Sequence, residues 1–245
     1  MKGTVVIDSL PERTARYLNT HAVVAVDAFR ATTTIVTALA HGRRVFPVAS
    51  VEEAAEVAAG LTNPLLAGEV AGDTPATFEI NNSPYRLASR SDRRPLVLLS
   101  SAGTKLLANA RGSRAVYVAC FRNLSATADY VAQRHEHIAV IGAGTRGEPR
   151  AEDQLACAWF ALRLTQLGFE PENPTTRQEI DRWASADIAL INDGPSAEYL
   201  RSTGQGDDIG YVLSHIDDLD LVVVMEGQEA TTVAAHTAAR GGWNS

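Results

Sequence analysis

Residues 22–40 read AVVAVDAFRATTTIVTALA. Five apolar residues, Ala22 to Val26, stop at Asp27; a short turn through Phe29 and Arg30 follows, and an Ala/Thr-rich stretch, Thr33–Ala40, runs into His41-Gly42. A short, unbroken apolar run bounded by a polar turn fits a strand covered on both faces. The longer stretch closed by glycine fits a helix. The same layout recurs at Leu96–Ala110 and Ala115–Arg134. The first two copies end on similar phrases, ALAHGRRVFPVA (38–49) and LLANARGSRAVYVA (106–119). That likeness is either a worn duplication or what any two Ala/Arg-rich units share. Further apolar runs at Arg44–Val48, His137–Ile141 and Leu221–Val224, with amphipathic stretches at Val51–Ala59 and Glu152–Leu167, extend the alternation. Strands alternating with helices predict an α/β fold: layered βαβ units around a mainly parallel or mixed sheet, with two similar, tightly packed halves as one form of it. Gly168–Thr176 and Asp193–Gly210 read as surface loops. With no linker of disordered composition, residues 1–245 are expected to form one domain.

The 245 residues carry 22 Lys and Arg against 29 Asp and Glu, a net charge of −7, and 45% are hydrophobic. Such a chain can bury a substantial core. Its mild acidity argues against a nucleic-acid or membrane-surface partner, which calls for a basic face. Val5-Val6-Ile7 is broken by Asp8 and is too short for a signal-peptide core. No stretch approaches the roughly 18 apolar residues of a membrane span. Two cysteines, Cys120 and Cys157, cannot fill a four-thiolate zinc site or a disulfide framework. A cytoplasmic protein is expected, with a homodimer as the base-rate assembly.

Several familiar motifs fail on named residues. Gly142-Ala143-Gly144-Thr145-Arg146-Gly147 fits GxGxxG after a strand and raises an NAD(P)-binding oxidoreductase as an alternative. Glu148-Pro149, however, keeps the third glycine out of a helix already begun. A Cys-x₅-Arg phosphate cradle from Cys120 would need Arg where Ala126 stands, so Cys120 reads as a small buried residue. An aspartyl-phosphate DxD pattern from Asp27 would need Asp at Phe29. The histidines, 21, 41, 135, 137, 215 and 236, form no metal-binding array.

What remains is a constellation in the turns beyond the strands, where parallel α/β sheets bind ligands. Asp27, Arg30, Thr32 and Thr33 stand at a helix N-terminus, which favours an anion. Arg30 supplies bidentate donors suited to phosphate, and Asp27 can hold a cation beside it. The competing reading is a helix capped by Thr32 or Thr33 with Asp27 paired to Arg30. Gly68-Glu69 follows an apolar run, and Asn81-Asn82-Ser83-Pro84 opens a helix, with Ser83 as its N-cap. Ser100-Ser101-Ala102-Gly103-Thr104 and Cys120-Phe121-Arg122-Asn123 repeat the strand-to-helix turn. Arg146 and Arg150 precede Glu152 and Asp153, which also suit the first turn of a helix.

These segments, VDAFRATTTIVTALAHG (26–42), LLAGEVAG (65–72), FEINNSP (78–84), SSAGTKLLANA (100–110), VACFRNLSA (118–126) and GAGTRGEPRAEDQLACA (142–158), resemble the 2-phosphosulfolactate phosphatases of coenzyme M biosynthesis. The resemblance implies an α/β fold, dependence on Mg²⁺ and hydrolysis of a phosphomonoester on a small sulfonated 2-hydroxy acid. Ala102 stands where members more often have Asn, and Ala119-Cys120 where Gly-Ser is commoner. On this reading Asp27, Glu69, Glu152 and Asp153 are the expected metal ligands. Asp27, Arg30 and Asp153 carry the chemistry, and Arg30 with the N–H groups around Thr32 and Thr33 holds the phosphate. Asn82, Ser83, Ser101, Thr104, Arg122, Asn123 and Arg146 line the path of a small, multiply charged phosphorylated substrate. A non-catalytic anion-binding protein on the same fold is the remaining alternative.

Overall fold

The computed structural model describes residues 3–233. The single-domain expectation over 1–245 therefore includes residues 1–2 and 234–245, which, like His236, lie outside the described residues.

Ten described strands form one mixed sheet: β1 (Thr4–Ser9), β2 (Ala22–Val26), β3 (Val45–Val48), β4 (Leu65–Gly68), β5 (Leu96–Leu99), β6 (Val116–Ala119), β7 (His137–Gly142), β8 (Glu170–Pro171), β9 (Val222–Glu226) and β10 (Glu229–Val233). Their order is β4-β5-β3-β10-β9-β6-β2-β7-β1-β8. β6, β2, β7, β1 and β8 make one parallel block; β4, β5 and β3 make another. The β9–β10 hairpin joins them, antiparallel to itself and to both neighbours. The expected α/β layering is thus present, with a mixed rather than wholly parallel sheet.

β2 is the axis of the larger block, and its five residues are all buried. Alternate side chains serve opposite faces, as the two-residue period of a strand requires. Val24 and Val26 pack with Leu155 and Phe160 of α6 (Ala151–Gln166) and with Leu124 and Ala128 of α5 (Leu124–Ala132). Val23 and Ala25 pack with Ile35 of α1 (Ala31–Ala40), Leu106 of α4 (Gly103–Asn109), and Leu65, Leu96 and Leu98 of the smaller block. Helices α1 and α4 therefore pack against strands of both blocks. Both similar phrases belong to connections between blocks: β2–α1–β3 passes from the larger to the smaller, and β5–α4–β6 passes back.

The remaining helices are α2 (Val51–Ala59), α3 (Pro84–Ala88), α7 (Pro174–Trp183), α8 (Pro195–Ser202) and α9 (Asp207–Leu213). The last three correct the loop readings of Gly168–Thr176 and Asp193–Gly210. Helix α7 starts inside the first stretch: Asn173 accepts a 2.8 Å cap bond from the Thr176 N–H, Pro174 takes the first helical position, and only Thr176, Ile180 and Trp183 are buried. So narrow an apolar stripe on a polar helix leaves little periodicity to detect. Helix α8 is equally thin, burying Ala197 and Leu200.

Gly68 ends β4 with φ 147°, and a Cβ there would stand 2.2 Å from the Leu99 carbonyl oxygen of the neighbouring strand. Gly42, after α1, has φ 74° and open space around its missing Cβ. Gly68→Ala should therefore cost about 3 kcal/mol or more. Gly42→Ala, strained but not clashing, should cost about 1 kcal/mol. Urea unfolding of the two variants checks the difference.

Candidate active site

Three strand-to-helix turns share one device. At β2–α1 the Asp27 N–H donates to Thr32 Oγ1 (2.9 Å), and the same hydroxyl donates to the Asp27 carbonyl (2.8 Å). At β5–α4 the Ser100 N–H and carbonyl use Thr104 Oγ1 in the same way, both at 2.8 Å. After β6 the Cys120 N–H donates to Asn123 Oδ1 (3.0 Å), while Asn123 Nδ2 donates to the carbonyls of Val118 and Leu221. Thr33 and Thr34 likewise donate to the carbonyls of Ala28 and Arg30. These polar side chains satisfy buried backbone groups that would otherwise be left unpaired. Thr32, Thr33 and Thr104 therefore shape two of the turns from behind the cavity wall, and Asn123 shapes the third, which does not line the cavity.

The first two turns border a cavity of ≈ 480 Å³ whose wall includes Asp27, Arg30, Glu69, Asn82, Ser101 and Arg146. Lys105, Arg150, Ser196 and Tyr199 also line it. Ser83 stands behind Asn82, capping α3 through the Arg86 N–H (3.1 Å). Arg122 does not reach the cavity. It is buried against Asp218 (3.0 and 2.6 Å), Thr37 (3.0 Å) and the Tyr211 hydroxyl (2.7 Å), tying α1 to the segment after α9. Arg146 is exposed at the mouth with φ 54°. Lys105 reaches Glu12 at 2.6 Å. The wall as a whole balances Arg30, Lys105, Arg146 and Arg150 against Glu12, Asp27 and Glu69.

Arg30 is not paired with Asp27. Its Nη1 donates to Asp208 Oδ2 (2.5 Å) and Gln205 Oε1 (2.7 Å), and its Nη2 to Asn81 Oδ1 (2.8 Å). The Phe29–Arg30 peptide is cis. Glu69 is held across the cavity: it accepts from the Ser101 N–H (2.6 Å), the Ser101 hydroxyl (2.9 Å) and the Gly72 N–H (2.7 Å).

Asp153, in the first turn of α6, accepts from two loops at once, the Ala28 N–H (2.9 Å) on one oxygen and the Gly144 N–H (2.8 Å) on the other. This fastens α6 to the ends of β2 and β7 and sets its carboxyl close to those of Asp27 and Glu152. Burial pushes the Asp27 carboxyl up to about 7; the charges of Glu69 and Glu152 add to the shift, while the Ala31 N–H and Arg30 oppose it. Burial, then the charges of Asp27 and Glu152, hold Asp153 well above the usual carboxylate range. Burial also raises Glu152, against a hydrogen bond from Ser196 and the charge of Arg150. Oδ1 of Asn82 and Oε2 of Glu152 are buried with no hydrogen-bond partner. Clustered acids that disfavour one another's ionisation, beside unsatisfied oxygens, are the electrostatic signature of a site built for a charged ligand. Among the described residues no three His, Cys, Asp or Glu side chains form a ready-made metal cage.

The other candidates are quiet. Cys120 is buried, and burial pushes its thiol up to about 11, so it carries no nucleophilic thiolate. Gly147 lies in a turn closed by mutual Thr145–Glu148 backbone bonds, ahead of the start of α6 at Ala151, so the GxGxxG letters do not build a dinucleotide fingerprint. The residues missed by sequence reasoning are chiefly Asp208, Gln205, Ser196 and Tyr199, all from the stretch read as a loop. Lys105 had a local signal, directly after Gly103-Thr104 in a strand-to-helix turn.

Fold and site together define an α/β protein whose cavity brings buried carboxyls and arginines from several turns together. The chain belongs to the 2-phosphosulpholactate phosphatase family, whose model matches residues 8–228. The 2-phosphosulfolactate phosphatase of Methanothermobacter thermautotrophicus is 31% identical over 201 residues, 78% of this chain and 80% of its own. A probable 2-phosphosulfolactate phosphatase of Carboxydothermus hydrogenoformans is 35% identical over 186 residues, 76% of this chain and 74% of its own. One from Pseudothermotoga lettingae is 37% identical over 145 residues, 59% of this chain and 62% of its own. No described helix is long and apolar enough to cross a membrane.

The raised Asp27 carboxyl fixes the sign of a pH effect. Its ordinary value is 3.8 and its folded value about 7, so between those limits the native state binds more protons than the unfolded chain. Stability from this group is full below the lower limit and is lost as pH rises through the upper one. Without divalent metal, Asp27→Asn should be more stable than the parent at pH 8 by at least about 1 kcal/mol, a rise of roughly 2–4 °C in Tm. The advantage should close as pH falls towards 4, as thermal unfolding across that range will read.

Proposed function

We propose that the chain is a Mg²⁺-dependent phosphatase acting on 2-phospho-3-sulfolactate, or a close 2-phosphorylated hydroxy acid, to release phosphate. The observation that carries this reading is Asp27 on the cavity wall with Arg30 and Glu69, backed by the buried Glu152 and Asp153, which do not line the cavity but interact electrostatically with Asp27. All-oxygen donors with an unsatisfied carboxylate oxygen suit a hard divalent ion. Mg²⁺ in particular takes one or two carboxylates and fills the rest with water and phosphate oxygens, so no preformed cage is needed. Asp27 is the first ligand candidate, with Asp153, Glu152 and Glu69 around it. When bound, the ion supplies charge neutralisation on the phosphoryl oxygens.

The residues of the chain do the rest. Arg30 holds the phosphoryl group through the N–H donors that its protein partners leave free. Carboxyls whose proton affinity is raised towards neutrality are suited to exchange a proton with attacking water or the departing hydroxyl. Arg146, Arg150 and Lys105 at the mouth face the substrate's carboxylate and sulfonate. Asn82 and Ser101 offer neutral polar contacts between the two ends. Phosphoryl transfer draws most of its acceleration from such positioning and electrostatics.

A phosphate-release assay over phosphorylated hydroxy acids, with and without a sulfonate, tests the reading. Mg²⁺ should restore turnover abolished by chelator. Asp27→Asn and Arg30→Ala should each lower kcat/KM by about 100-fold or more. Arg146→Ala should raise KM by about tenfold with little change in kcat, because it would remove binding common to ground and transition states. Tight binding of these substrates with no phosphate released would favour the anion-binding alternative.

A further inference from the structure

From the hydrogen bonds around Arg30, we propose that Asp208 is a positioning residue that aims the Arg30 guanidinium into the cavity, making the α8–α9 segment part of the active site. The inference rests on the reading of Arg30 as the phosphoryl-binding residue.

Asp208 stands in the first turn of α9 and is 1% exposed. Neither oxygen is free. Oδ2 accepts from Arg30 Nη1 (2.5 Å); Oδ1 accepts from the Ser83 hydroxyl (2.6 Å) and from the Tyr85 N–H (3.1 Å). One carboxylate thus joins three segments far apart in sequence: the turn after β2, the start of α3 and the start of α9. A buried carboxylate needs this many donors to offset its desolvation.

The effect on Arg30 is geometric. A guanidinium has five N–H donors in one plane. Asp208 and Gln205 take both hydrogens of Nη1, and Asn81 takes one of Nη2. The Nε hydrogen and the second Nη2 hydrogen have no protein acceptor among the described residues, and Arg30 lines the cavity. Three fixed acceptors leave the planar group no freedom to swing. The free donors are therefore preorganised for a phosphoryl oxygen rather than ordered at the moment of binding. Pro195, Ser196, Tyr199 and Leu200 of the same segment close that side of the cavity.

The test is a double-mutant cycle on the full chain, read by phosphate release and by inhibition with inorganic phosphate. Arg30→Ala alone examines the underlying reading; parental rates would overturn that reading and the inference with it. With Arg30→Ala impaired, Asp208→Asn should lower kcat/KM by about tenfold or more in the parent background. In the Arg30→Ala background it should change kcat/KM by less than about threefold. The inhibition constant for phosphate should follow the same coupling. Equal losses in both backgrounds would assign Asp208 a structural role and overturn the inference while leaving the reading of Arg30 intact. Gln205, half-buried and uncharged, supplies a second route where Asp208→Asn fails to fold. Gln205→Ala should show a smaller loss that also disappears without Arg30, and an uncoupled loss overturns the inference.

Discussion

The molecule depends on Asp153 standing at the first turn of α6 while its two carboxylate oxygens receive N–H groups from the loops after β2 and β7. These are buried bonds to a potentially charged acceptor, the kind that stabilise most when made and cost most when broken. They bind the long helix to the two central strands at the edge where ligands gather. They also force a second consequence. Burial, with the charges of Asp27 and Glu152, raises the Asp153 carboxyl, and burial with the charges of Glu69 and Glu152 raises Asp27. The clamp that orders the site therefore leaves it electrostatically unsatisfied, a strain that a cation bound there would relieve. Stability and ligand affinity are opposite readings of the same buried charge.

The packing of α1 and α4 against both blocks explains why one cavity can draw on so many segments. Three antiparallel contacts separate the two parallel blocks, so the blocks run in opposite senses along the ladder. In a flat sheet the carboxyl ends of β2 and β5 would then point to opposite edges. Instead the two ends meet where α1 and α4, each packed on both blocks, begin. The contact is close: a Cβ on Gly103, at the start of α4, would stand 2.2 Å from Asp27 Oδ2 and 2.6 Å from the Ala31 Cβ. Gly103 and Ala31 are small because two helix N-termini from different blocks meet over a carboxylate there. The usual rule that ligands bind beyond the carboxyl ends of parallel strands survives, but it applies to two blocks facing one another.

The strand-turn-helix grammar was legible because it is local: the unbroken apolar run at Ala22–Val26 and the glycine after α1 need no tertiary contact to be read. The chemistry was partly legible for the same reason, since Asp27, Arg30 and Asp153 all sit at turns. What a linear reading cannot separate is a polar side chain that serves a substrate from one that serves its own backbone. Thr32, Thr104 and Asn123 occupy equivalent places in three turns and look like ligand donors. Each is occupied by N–H and carbonyl groups within five residues, and Asn123 adds a carbonyl from Leu221. The demand for those bonds arises only once the turn is buried.

The late segment was hidden for a different reason. Helices α8 and α9 bury few apolar residues, and Asp208 contacts Arg30 across 178 positions. Its neighbours in sequence, a glycine-bearing polar stretch, suggest solvent. Only the fold reveals that Asp208 is enclosed by Arg30, Ser83 and the Tyr85 backbone. A buried arginine lined up on a cavity needs a counter-charge, and that requirement has no fixed spacing along a chain. Arg122 makes the contrast plain: it too is buried and paired, with Asp218, yet its Nη1 donors go to Thr37 and Tyr211 and it does not line the cavity. The difference between a strut and a binding group lies in where the donors left over by the protein stand: Arg30 borders the cavity and Arg122 does not.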